Sequence, residues 1–319
     1  MKFMRAKLKN NHLLLGYTLS VLAGVLWGIS GNFGDVLFDE YQLNVEFLVL
    51  WREIITGIIL LTFLLFKKKE IFSIWKQSTK DSLLLVLYAI FGVIGVQYFF
   101  FLTIRYANAA TATVIQYLAP VFIVIFGAVI VKHKPNFSQL IAVLLAFFGI
   151  FLFATGGSFH TLNFSVKALI YGLISCIGLV YYLVGPTKLV NKYGTMMIVG
   201  WGMLLGGIIM CLYTLIILPA HFQSGVSWDL RSIFLFGFLI IFGTLLPFTF
   251  CQKSIQLIGA EKAGILSCTE PLTSVLVAIV WLGQSFKSSD FIGILSIIVA
   301  VTLISVIDLH NANSSKNSN

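Results

Sequence analysis

The chain has 319 residues, of which 59% are hydrophobic and only 10% charged, and its net charge is +9. Soluble domains carry about 25% charged residues, so this composition excludes a water-soluble enzyme or binding module. In a membrane protein a basic balance reports topology, not nucleic-acid binding.

Apolar runs of transmembrane length recur from end to end. They predict ten spans, at about 13–37, 45–66, 83–105, 109–131, 138–155, 165–190, 195–218, 230–255, 260–282 and 291–307. The opening MKFMRAKLKN before LLLGYTLSVLAGVLWG has the look of a signal peptide. Its apolar stretch is too long and lacks a clear cleavage site, so it reads as a retained first span. Trp27 lies in mid-span, between Gly24 and Gly28, a spacing that lets another helix approach closely. The second span carries Arg52 and Glu53, and the third carries Gln97. VIQYLAPVFIVI in the fourth holds Gln116, Tyr117 and Pro120; Tyr181 follows in the sixth; ILSCTEPLTSVL in the ninth holds Ser267, Glu270 and Pro271. Short polar linkers with breakers such as Lys134-Pro135 and Gly156-Gly157 separate the runs. Residues 309–319 read as a disordered polar tail.

Placing the N-terminus in the cytoplasm puts 16 of the 21 Lys and Arg residues on the inner side and only Arg105, Lys167, Arg231 and Lys287 outside. The positive-inside rule therefore predicts that both termini face the cytoplasm. It also points to the cell membrane of a bacterium.

Pro120 and Pro271 are 151 positions apart, and at the same offset Ala109 meets Ala260, Ala112 meets Ala263, Gln116 meets Ser267 and Ala142 meets Gly293. This weak internal repeat divides the chain into residues 1–157 and 164–308, two five-helix halves. Five is odd, so the halves enter the membrane from opposite sides. The predicted fold is an all-α integral membrane protein built from two inverted-topology repeats, with a site near the midplane where they meet.

Four stretches carry a family resemblance: LAGVLWGISG (22–31), WREIITGIILL (51–61), ANAATATVIQYLAPVF (107–122) and GAEKAGILSCTEPLTSVL (259–276). On these the chain resembles the drug/metabolite transporter superfamily, in its EamA-type ten-helix branch. The match covers nearly the whole chain. One departure is that Lys132-His133 and Gly283-Gln284 stand where members of the family commonly carry an acid after the fourth and ninth spans. The resemblance implies secondary transport of a small polar metabolite, such as an amino acid, nucleoside or amine, through a central cavity. It also implies a structural or gating ion pair at Arg52, for which snorkelling to the interface is the alternative.

The residues support a cavity on their own account. An acid at mid-span costs about 2.5–3.5 kcal/mol on insertion scales, so Glu270 is expected to face water, substrate or a partner. Pro271 and Pro120 mark helix breaks, because proline removes a backbone donor. Ser267 and Glu270 share one helical face, and Thr113, Gln116 and Pro120 form the matching face of the fourth span. Trp27, Tyr117 and Tyr181 lie at comparable depths and could wall the same space, and aromatic faces beside a carboxylate suit a cationic group. Gln97 fits a hydrogen-bonding wall or glue between helices, Trp27 fits a wall or a groove filler, and Glu270 fits a site or a pairing with another helix. Glu53 is expected to pair with a neighbouring helix.

The five histidines fall in linkers or at span ends without ligand spacing, and the four cysteines lie within spans as buried thiols. There is no G-x-x-x-x-G-K-[ST], so no direct use of ATP is expected. The expectation is no enzyme, no cofactor and no metal. The expected partners are a small-molecule substrate, the lipid bilayer, a coupling proton or ion and, as an open alternative, a second copy in a homodimer. A membrane scaffold or receptor, and an intramembrane enzyme on lipid-linked substrates, stand as the other function classes.

Overall fold

The computed structural model describes residues 2–119, 121–122, 137–156, 164–223, 225–266 and 269–317. Among these every element is helical. In chain order they are α1 (Lys2–Asp39), α2 (Val45–Phe66), α3 (Ser73–Gln77), α4 (Thr79–Leu87), α5 (Gly95–Tyr106), α6 (Ala109–Gln116), α7 (Phe137–Thr155) and α8 (Val166–Val184). Then follow α9 (Thr187–Tyr193), α10 (Thr195–Ile217), α11 (Leu230–Ile240), α12 (Leu246–Ile258), α13 (Ala260–Leu266), α14 (Thr269–Val280) and α15 (Ser288–Asn317). Wide π-helical turns at Tyr88–Ile94 and Ile241–Leu245 join α4 to α5 and α11 to α12 into two long helices.

Local chemistry sets the ends. The Asn108 and Ser165 side chains cap α6 and α8 by accepting from the amides of Thr111 (2.8 Å) and Ala168 (3.2 Å), and Asp229 and Ser232 cap α11 reciprocally. Gly194 (φ 90°) and Gly259 (φ 88°) turn the chain after α9 and α12 in a conformation that side chains with a Cβ disfavour. The predicted run 165–190 divides at Gly185-Pro186, since proline cannot continue the ladder of α8. Helix α15 runs on through Asn317, into the stretch expected to be a disordered tail, because an established helix extends at little cost per residue.

Among the described residues seven helices are long and apolar enough to cross a membrane, and Leu140–Phe153 and Ser288–Leu303 are shorter apolar helices. Their outward faces carry residues such as Leu144, Phe148, Ile216 and Leu295, as a lipid-facing surface requires. The principal pairings are α2 with α10, α7 with α15, α5 with α8, α6 with α8, and α1 with both α12 and α14. Glycines make these contacts close. A Cβ on Gly57 would lie 2.6 Å from the Leu204 nitrogen, and one on Gly178 would lie 2.4 Å from the Gly95 carbonyl carbon. Gly149 and Gly293 meet reciprocally, each placing its missing Cβ 2.6 Å from the other's carbonyl oxygen. Close backbone approach of this kind is how helices associate where lipid offers no hydrophobic drive.

Polar ties close the two ends of the bundle. At one end Arg231 pairs with Glu40 (2.7 Å), and Glu46 meets His221 (2.9 Å) and Tyr98 (2.7 Å). At the other, Asp81 holds Lys192 (2.6 Å) and Tyr193 (2.8 Å).

Candidate functional site

A cavity of about 840 Å³, its mouth included, opens between α1, α2, α5, α6, α8, α12, α13 and α14. Val96, Phe100, Phe101, Leu179 and Phe248 make most of the wall apolar. Trp27, Arg52, Gln97, Gln116, Tyr117, Tyr182 and Glu270 supply polar atoms. Trp27 stands edge-on to Phe248, with ring centroids 5.0 Å apart, and among the described residues its buried indole nitrogen has no hydrogen-bond partner.

Glu270 and Pro271 occupy the first turn of α14. Residues 267 and 268, just before this turn, lie outside the described residues. Glu270 is 5% exposed and accepts a hydrogen bond from the Tyr117 hydroxyl. Its backbone carbonyl would lie 2.6 Å from a Cβ on Gly28, so the glycine lets α1 press directly on this turn. Below it, Asn32 of α1 donates to the Ser274 carbonyl at 3.1 Å. Gln116 donates to the Ser175 hydroxyl (2.7 Å), which donates to the Val96 carbonyl (2.8 Å), so α6, α8 and α5 are held in one chain of bonds.

Arg52 does not snorkel. It is 2% exposed, donates from Nε to the Thr244 hydroxyl (2.7 Å) and from Nη2 to the Gly243 carbonyl (3.1 Å), and lies 4.4 Å from the Phe101 ring centroid. Gly243 lies in the π-helical turn at Ile241–Leu245, and four residues on Pro247 has no amide to offer its carbonyl. The guanidinium supplies a donor to that carbonyl. Its remaining nitrogen, Nη1, is buried without a partner.

Two expected wall residues lie elsewhere. Tyr181 turns away to meet Phe91 at 6.2 Å, and its neighbour Tyr182 lines the cavity, since adjacent residues on a helix do not share a face. Thr113 spends its hydroxyl on the Ala109 carbonyl (2.8 Å) within its own helix. Ser267 and Pro120 lie outside the described residues. Sequence reasoning also missed Asp35, near the end of the first apolar run. Its buried carboxylate accepts from the Ala109 amide and from Gln284, both at 3.3 Å, and anchors the start of α6. Cys176 and Cys251 are buried, Cys211 is half-exposed, and Cys268 lies outside the described residues. Among the described residues no group of three His, Cys, Asp or Glu side chains could hold a metal.

The family model of the EamA-like transporter family matches twice, at residues 14–155 and 166–306. The chain belongs to the EamA-like transporter family. It is 38% identical over 288 residues to an inner membrane transporter, YicL, of Salmonella typhimurium, covering 90% of this chain and 93% of that one. It is 23% identical to the transporter YyaM of Bacillus subtilis, over 84% of this chain and 87% of the relative. A crystal structure at 16% identity superposes with a TM-score of 0.62 over 93% of this chain and 97% of that one, a likeness of fold. Membership makes this EamA-like chain a multi-pass membrane protein of a transporter family, and it points away from catalysis. Both matched segments contribute to the cavity wall, with Trp27, Arg52 and Gln116 from the first and Tyr182, Phe248 and Glu270 from the second.

Proposed function

We propose that the protein is a secondary active transporter that moves a small polar metabolite across a bacterial cell membrane by alternating access. Its ten spans form two inverted five-helix repeats, with both termini cytoplasmic. The helix pairings support this reading. At the 151-residue offset α1, α2, α5, α6 and α7 correspond to α8, α10, α12, α13 and α15. Under that exchange the pairing of α5 with α8 becomes that of α12 with α1, and α6 with α8 becomes α13 with α1, which also pack together. The pairs α2–α10 and α7–α15 map onto themselves, and the two π-helical turns fall in corresponding helices. Such symmetry is what allows one half to exchange conformations with the other.

The observation that carries the function is one cavity bordered by a buried cation, Arg52, and a buried acid, Glu270, one from each half. Opposite charges in an apolar space suit a substrate that bears both signs, so an amino acid fits better than a nucleoside or a simple amine. A thermal-shift screen of the purified protein against amino acids, nucleosides, amines and organic acids should give a stabilising ligand by mass action. That ligand should then show counterflow in proteoliposomes. A ligand that stabilises the protein without any flux across the bilayer would favour a receptor instead.

A further inference from the structure

We propose that Glu53 is a proton-binding site set just behind the cavity wall and linked to it by Gln97, and that loading and unloading this proton is coupled to the transport cycle. The second clause rests on the transporter reading, and the first does not.

Glu53 is fully buried on α2. One carboxylate oxygen, Oε1, accepts from Gln97 Nε2 at 3.1 Å. The other, Oε2, has no partner, and neither has Gln97 Oε1 nor the Thr56 hydroxyl one turn along α2. Glu53 Oε2 can only accept while the acid is ionised, and Gln97 Oε1 can only accept in either state. Unpaired buried acceptors beside an unpaired buried charge are costly. A single proton on Oε2 removes the charge and turns that oxygen into a donor.

Arg52, the adjacent residue, is near enough for its charge to be felt by the carboxylate, but its guanidinium is committed to Thr244 and Gly243, and among the described residues it forms no ion pair with Glu53. Tyr88, on the π-helical turn, is the other titratable group close enough to feel the carboxylate. From α10 comes Gly206, where a Cβ would lie 2.6 Å from Oε2, so the glycine keeps room for this oxygen. Met203 contributes a thioether 3.2 Å from Gln97 Nε2, and Val93 packs beside Gly206. A metal cation of the hard class wants a shell of oxygens, and this pocket of sulfur, methyl groups and three oxygens fits a proton better.

Gln97 borders the cavity, so Glu53 is one side chain removed from its contents. In the loading step a hydronium ion in the cavity gives up a proton and becomes water, and an O–H bond forms at Oε2. In the unloading step that bond breaks and the proton returns to water. Both steps need the Gln97 amide to swing aside, so the state of the acid and the shape of the wall change together.

Infrared difference spectroscopy of the full-length protein in lipid, titrated across the neutral range, reads the proton directly through the carbonyl stretch of a protonated carboxyl. Labelling glutamate carboxyls with carbon-13 assigns the band to a glutamate. Among the titrating glutamate bands, one should persist in Glu270→Gln and be missing in Glu53→Gln. Should Glu53→Gln fail to fold, Gly206→Ala crowds Oε2 and should shift the band's frequency and midpoint. A Glu53→Gln titration that superposes on the wild type overturns the site, as does an unmoved band in Gly206→Ala. Loss of the band on adding sodium chloride at fixed pH overturns the proton in favour of sodium. In proteoliposomes Glu53→Gln should keep counterflow and lose pH-driven accumulation; retention of both overturns the coupling. Absence of any flux in the wild type would sink the transporter reading while leaving the band to stand or fall by itself.

Discussion

Replacing Arg52 by Leu and Pro247 by Ala, singly and together, tests whether the guanidinium substitutes for a missing amide. Arg52→Leu removes hydrogen bonds at 2.7 and 3.1 Å and the contact with Phe101. Hydrogen bonds to charged groups are worth about 1.5–3 kcal/mol each, and a desolvated cation–π contact is worth about 2 kcal/mol. Against this, burying the guanidinium costs several kcal/mol. The terms are of similar size, so the single variant decides nothing. Pro247→Ala supplies an N–H whose target is already occupied in the wild type, and its effect there should be small. In the Arg52→Leu background the same N–H meets an unserved carbonyl and should recover about 1–3 kcal/mol. The interaction energy, measured by reversible unfolding in mixed lipid–detergent micelles with circular dichroism, should therefore exceed about 1 kcal/mol. Additivity within about 0.5 kcal/mol, the behaviour of independent sites, would refute the substitution argument.

Gly28→Ala should destabilise the protein by about 1–3 kcal/mol through overpacking, since the new methyl meets backbone of α14; Gly237→Ala, with nothing within 4 Å, is the neutral control in the same melt. Glu270→Gln should weaken binding of a cationic or zwitterionic ligand about tenfold or more, equivalent to about 1.4 kcal/mol or more, as read by calorimetry; unchanged affinity would return Glu270 to a purely structural role. Trp27→Ala should reduce ligand affinity in a protein that still elutes as a single folded species, and unaltered affinity would remove the indole from the site. Single cysteines at Gln223 and Gln77 should label from outside and inside respectively in whole cells, and the reverse pattern would invert the topology.

The sequence made Glu270-Pro271 legible because an acid and a proline are both expensive in an apolar run, and their cost is visible without coordinates. Gly28 was legible for the same reason, as a small residue spaced for close approach. The environment of Arg52 was not, because its partners lie 191 and 192 residues away, and the decisive signal, Pro247 four positions after Gly243, acts on a carbonyl and not on a side chain. Tyr181 and Tyr182 could not be told apart, since both are aromatic and only the packing of α8 on its neighbours chooses between them. Asp35 sits close enough to a helix end to pass as interfacial. Its burial comes from Gln284 and the start of α6, which sequence distance hides.

The reciprocal contact of Gly149 with Gly293 has a mechanical meaning. Two backbones that touch carbonyl to α-carbon on both sides interlock like teeth, and neither helix can slide along the other without climbing over an oxygen. Tilting about the contact needs no such climb. The α7–α15 pair, which among the described residues contributes no side chain to the cavity wall, is thus built as a fulcrum. Spin labels placed on either side of it should report one fixed separation, while labels across the cavity report two.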